Sequence, residues 1–155
     1  MGVDGSASSE QALAWAAREA QLREARLNVV HAWTMPEVTS PDGAPFVGDL
    51  GALQQASRAL LEEMAEGLVD ERDGGPPDLL LQSVAGPAAQ ALMQSAAHAE
   101  LLVVGARGVS GLRGVVFGSV SRQCAHHAPC PTVVVGGVPT REPVMASAAR
   151  SAQER

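Results

Sequence analysis

The sequence predicts an α/β domain: an open parallel β-sheet with helices on both faces. Three observations carry that expectation. Short apolar runs alternate along the chain with amphipathic stretches. The runs are apolar throughout rather than at every second residue, as in strands covered on both faces. A glycine-rich segment follows one of these runs, beyond the carboxyl end of a strand, where such sheets bind their ligands.

Residues 6–27 read as a helix, with Ser8 and Gln11 as a capping box and Leu13, Ala16, Ala17 and Ala20 on its apolar face. "LNVVHAW", ending near Trp33, reads as a buried strand. Residues 34–50 carry three prolines and two glycines and read as a loop. Leu53, Ala56, Leu60, Met64 and Leu68 mark a second amphipathic helix, which "ERDGGPP" ends. "DLLLQSVA" is a strand. Gly86-Pro87 then opens a third helix with proline in its first turn, and Leu92, Met93 and Ala96 face the core. "LLVVG" is a fully apolar strand. A helix is expected from Ser119 to His127 and a last strand at "PTVVVGG". Residues 1–137 form the domain, and 138–155, small, polar and proline-broken, form a disordered tail.

Composition narrows the function. A 155-residue chain, 46% hydrophobic and 18% charged, is one globular domain. Its net charge of −6, with no basic cluster, argues against nucleic acid as a partner. No apolar run is long enough to cross a bilayer, and no secretory leader is visible, so a cytoplasmic protein is expected. The chain has no lysine, tyrosine or isoleucine. Phosphate-loop lysines, Schiff bases and phenol donors are therefore excluded. Cys124, His126, His127 and Cys130 follow no standard zinc spacing and read as two thiols beside a helix end and a strand start, so no metal ligands are assigned.

The segment "GARGVSGLRGVVFGSVS" decides the site. Glycine lets a ligand approach the main chain, and a loop running into a helix N-terminus gathers unpaired N–H groups with the positive end of the helix dipole. From Leu101 to Val135 there is no acidic residue, while Arg107, Arg113 and Arg122 fall in that window. This asymmetry in an acidic protein predicts an anion site, with Ser119 and Ser121 as hydroxyl donors at the helix start.

The spacing Gly105, two residues, Gly108, nine residues, Gly118-Ser119 resembles the motif of the ATP-binding universal stress proteins. "GVDGSASSEQALAWAAREA", "LNVVHAW" and "HAPCPTVVV" look like that family's first loop and helix, second strand and last strand, so the likeness covers nearly the whole chain. It implies a five-stranded parallel sheet in the order 3-2-1-4-5, here with the first strand truncated to the few residues before Asp4. It also implies a nucleotide site. Gly2, Val3 and Asp4 would border the nucleoside, with Asp4 near ribose and metal. Ala32 would hold adenine through its backbone, and Gly105, Arg107 and Gly108 would lie along ribose and phosphates. Gly118, Ser119, Val120 and Ser121 would take the phosphate tail.

The expected function is thus an ATP-binding stress-response regulatory module, using magnesium or manganese and pairing as a homodimer through Val133, Val134 and Val135. No catalytic residue is assigned, because no histidine is spaced with a carboxylate as a base and its orienter, and no G-x-S-x-G elbow occurs. The alternatives are a dimeric scaffold without nucleotide and an enzyme of the adenine-nucleotide hydrolase type.

Overall fold

A computed structural model describes residues 1–35, 38–39, 45–46, 49–68, 78–108 and 117–136. The tail expected at 138–155 and Arg113 lie outside the described residues. In chain order the elements are β1 (Gly2–Val3), α1 (Ala7–Leu22), β2 (Leu27–Trp33), β3 (Val38–Thr39), β4 (Pro45–Phe46) and α2 (Leu50–Glu66). They continue with β5 (Leu79–Ala85), α3 (Ala88–Ser95), β6 (Leu102–Gly105), α4 (Ser119–His127) and β7 (Thr132–Val135). The longer strands run parallel, as the continuous apolar runs required.

The sheet is hydrogen-bonded as two ladders, β1-β2-β5 and β6-β7. Gly2 lies opposite Val30 and Val3 opposite His31, while Leu102 through Gly105 pair with Thr132 through Val135. β1 lies against β6 without joining it in a ladder. Leaving aside the two-residue β3 and β4, the spatial order is compatible with that expected from the family, with a seam at the two-residue first strand. A strand of two residues has too few main-chain groups to bond along both neighbours. The segment 34–50 is not wholly loop: Val38 pairs antiparallel with Phe46 and Thr39 with Pro45. Its prolines hid this pairing from the sequence.

Successive strand residues face opposite layers. Leu27, Val29 and Val103 join Leu13, Ala16, Ala17 and Ala20 of α1 and Leu61 and Met64 of α2 in one core. Val30, Leu102 and Val104 join Ala89 and Leu92 of α3 and Cys124 of α4 in the other. Each fully buried Leu or Val contributes roughly 1.5–3 kcal/mol.

Helix ends depart from the sequence reading in three places. The cap of α1 is Ser6, whose Oγ accepts from Ser9 N at 3.2 Å, so Ser8 lies inside the first turn. The helix stops at Leu22 because Glu24 takes a left-handed φ of 52° and Ala25 N donates back to Ala20 O at 2.9 Å. Pro87 occupies the N-cap of α3 rather than its first turn. Among the described residues, no helix is long and apolar enough to cross a membrane.

Candidate functional site

At the carboxyl ends of the strands, where β1 meets β6, a cleft of about 890 Å³ opens. Strand order reverses at this point, since β2 continues on one side of β1 and β7 on the far side of β6. The cleft brings together ten of the eleven residues the sequence singles out: Gly2, Val3, Asp4, Ala32, Gly105, Arg107, Gly108, Gly118, Ser119 and Val120.

The remaining one, Ser121, does not line it. Its hydroxyl, on a residue only 2% exposed, donates to Ala106 O at 3.0 Å and lies 3.1 Å from Gly118 O. The Ser121 hydroxyl therefore braces the loop from beneath. Helical geometry explains the difference: α4 points Ser119 outward and turns Ser121 into the core.

Three contacts hold the loop after β6 against the start of α1. Arg107 N donates to Ser8 Oγ at 3.3 Å, and Ser6 Oγ lies 3.4 Å from Arg107 O. Gly105 lies so near α1 that a Cβ there would meet Ser8 Oγ at 2.8 Å and the Ser8 backbone at 2.9 Å. Glycine at 105 is thus a requirement of close approach. Further along, Gly118 N donates to Ala106 O at 2.7 Å, closing the loop onto its own start.

Gly118 caps α4 with no side-chain acceptor, so the first N–H groups of that helix have no side-chain cap. They stand at the cleft with Arg107 and Arg122. The N-terminal dipole and two guanidinium groups make this end favourable to anions. At the other end Asp4 is the one carboxylate among the described residues that line the cleft. Its Oδ1 accepts from Ser6 N at 3.1 Å and from Ser6 Oγ at 2.6 Å, which fixes the carboxylate at the cleft floor.

The sequence reading missed His31, Thr34 and Phe117 as lining residues. His31 Nδ1 lies 2.8 Å from Ser57 Oγ, a buried hydroxyl on α2. Burial pushes the imidazole pKa down, and the nearby Asp4 carboxylate partly opposes that shift. A histidine directly before Ala32, at the carboxyl end of a buried strand, was the signal available in the sequence. Phe117, half exposed, stands at the cleft's rim.

The model of the universal stress protein family matches residues 1–136. The chain belongs to the universal stress protein family. A universal stress protein of Mycobacterium tuberculosis is 37% identical over 134 residues, covering 86% of this chain and 43% of its own length. One from Thermus aquaticus is 36% identical over 140 residues, covering 87% of this chain and 95% of its own. The chain thus spans about half the length of the mycobacterial relatives it matches. Among solved structures, a universal stress protein in complex with cAMP superposes with TM-score 0.64 at 26% identity, covering 88% of this chain and 93% of that one. An Arabidopsis thaliana family member with AMP bound, at TM-score 0.57 and 19% identity over 94% of this chain and 95% of that one, shares the fold.

Proposed function

We propose that this universal stress protein is an ATP-binding regulatory module of the stress response. The observation that carries the reading is the cleft at the switch point, with Asp4 at one end and the N-terminus of α4, which has no side-chain cap and is flanked by Arg107 and Arg122, at the other. Its volume lies within the range of small-molecule sites. A solved relative is a complex with cAMP, and a fold neighbour has AMP bound, which supports an adenine nucleotide as the ligand. In this reading the Ala32 main chain reads the purine edge, favouring ATP weakly over GTP. Gly2, Val3 and Asp4 border the nucleoside, and Gly105, Arg107 and Gly108 run along ribose and phosphates. Gly118, Ser119 and Val120 take the phosphate tail through backbone N–H groups.

Among the described residues no three metal-ligating side chains cluster. A lone carboxylate fits magnesium or manganese carried in with the phosphates, since such ions need only one or two protein ligands beside them. Asp4 is the residue that would hold the ion, and the ion would neutralise phosphate charge. The nucleotide acts by favouring one of two states of the protein or of a partner equilibrium, which requires different affinities for the two.

The test is to purify the protein without added ligand, denature it and identify what is released. ATP supports the module. AMP or ADP with turnover on added ATP supports a hydrolase instead. No nucleotide, together with no calorimetric binding of Mg-ATP, leaves the scaffold reading.

A further inference from the structure

The large aromatic side chains of this chain are Trp15, Trp33, Phe46 and Phe117. Both tryptophans have evident places in the fold. Trp15 packs against the core, and Trp33 Nε1 donates to Ser83 Oγ at 2.9 Å. Phe46 lies in β4. Phe117 belongs to neither core among the described residues. It is 49% exposed and lines the cleft directly before Gly118, the N-cap of α4.

That is the phosphate end of the cleft in the reading above. Ala32 closes β2, and two strand spacings, β2 to β1 and β1 to β6, separate it from the loop after β6, a distance on the order of 10 Å. A base at Ala32 with its phosphates at α4 spans that distance and brings its last phosphate beside Phe117. A phenyl ring offers a phosphate no hydrogen bond, so a mononucleotide leaves this ring without a use. The cationic stretch also extends past the cap. Arg122 lies three residues beyond Ser119 and shares its helix face, so with Arg107 two guanidinium groups line this part of the cleft. The cleft volume of about 890 Å³ falls in the upper part of the range for small-molecule sites, roughly 300–1,000 Å³.

We propose that the cleft takes a dinucleoside polyphosphate, with one adenosine at Ala32 and Asp4, the phosphate bridge along Arg107 and the start of α4, and the second nucleobase stacked on Phe117. The proposal rests on the nucleotide reading above and deepens it. A nucleobase supplies the flat apolar face that an exposed aromatic ring matches, and such stacking tolerates any base. Guanidinium groups pair with the free oxygens of a phosphate bridge as readily as with a phosphate end. A flexible apolar arm attached to the phosphates would reach Phe117 but has no rigid face to lay on it.

The test compares diadenosine tetraphosphate with adenosine tetraphosphate, which has the same phosphates and no second base. Each is titrated by calorimetry, with magnesium, into the 155-residue protein. The dinucleotide should bind about tenfold more tightly. Phe117→Ala should bring the ratio of the two affinities to about one, and Phe117→Trp should keep it. Phe117→Leu, which retains apolar bulk without a flat face, should behave as the alanine variant does and decides the matter if alanine impairs folding. Equal affinity of the wild type for the two ligands, with ATP still bound, overturns the proposal and leaves the mononucleotide reading standing. An unchanged ratio in the leucine variant overturns it as well, because the second base then lies off Phe117. Binding of neither tetraphosphate and no ATP overturns the nucleotide reading and the proposal with it.

Discussion

The Asp4 carboxylate lies against the α-carbon of Gly108: a Cβ built on Gly108 would stand 2.5 Å from Asp4 Oδ2. The glycine of the loop and the acid of the first turn thus share one position across the cleft floor. Gly108→Ala must displace the carboxylate from its place beside Ser6. Mg-ATP affinity is expected to fall about tenfold, equivalent to roughly 1.4 kcal/mol, while Tm changes little, because the displaced group is the end of a side chain. Calorimetry on the alanine variant checks this, and unchanged affinity would remove Asp4 from the site.

Gly118→Val tests the phosphate end. Gly118 has an ordinary φ of −72°, and a Cβ there would meet its nearest atom, Ala106 O, at 3.5 Å. The substitution is therefore sterically tolerable to the fold, yet it places a branched side chain among the N–H groups at the start of α4. ATP binding should be lost with the thermal transition retained. A valine variant that binds ATP as the wild type does would show that phosphates lie elsewhere.

Stability should fall on acidification in a way that depends on His31. Its folded pKa lies below the unfolded value because burial disfavours the charged ring, with Asp4 opposing. The unfolded chain therefore takes up the proton first. The contribution is fully present above the unfolded pKa, near 6.5, and is lost as pH drops through the lower folded value. Urea midpoints measured from pH 8 to pH 5 should decline below about 6.5, and His31→Gln, which keeps a partner for Ser57, should flatten that decline. Parallel profiles for the two proteins would place the titration on another group.

Among the described residues β7 is the edge of its ladder, and Val133, Val134 and Val135 form an uncharged strand with no strand paired on its outer side. An edge of this kind is normally covered. Two-fold pairing of β7 with its copy would cover it and make the protein a homodimer. Light scattering at micromolar concentration should give twice the chain mass, and Val134→Lys should halve it. A monomer mass for the wild type that persists on concentrating would reject the pairing.

The element types were legible because their periods are strong. Continuous apolar runs such as "LLVV" suit only a covered strand, and Ser119–His127 was read with the ends the structure gives it. Ten of the eleven residues singled out in the sequence line one cleft; for Gly105, Gly108 and Gly118 the spacing is a backbone property, and the backbone shapes that cleft. What escaped depended on rotation about an axis. Ser8 and Ser6 are both acceptable caps by composition, and only the path of the chain from Asp4 decides for Ser6. Ser121 and Ser119 carry the same hydroxyl, yet one points into the core. His31 escaped because its partner Ser57 is 26 residues away on another element. The seam between β1 and β6 follows from strand length rather than from residue type.

The clasp between Ser8 and Arg107 joins residues 99 positions apart. Contacts of such separation carry a large loop-closure cost and form late in folding. A ribosome releasing this polypeptide exposes Asp4 and the start of α1 long before the loop that completes their surroundings exists. A nascent chain that stops before α4 lacks one side of the cleft. The cleft is therefore assembled only after the segment from Gly105 to Arg122 has been made, long after Asp4 and α1.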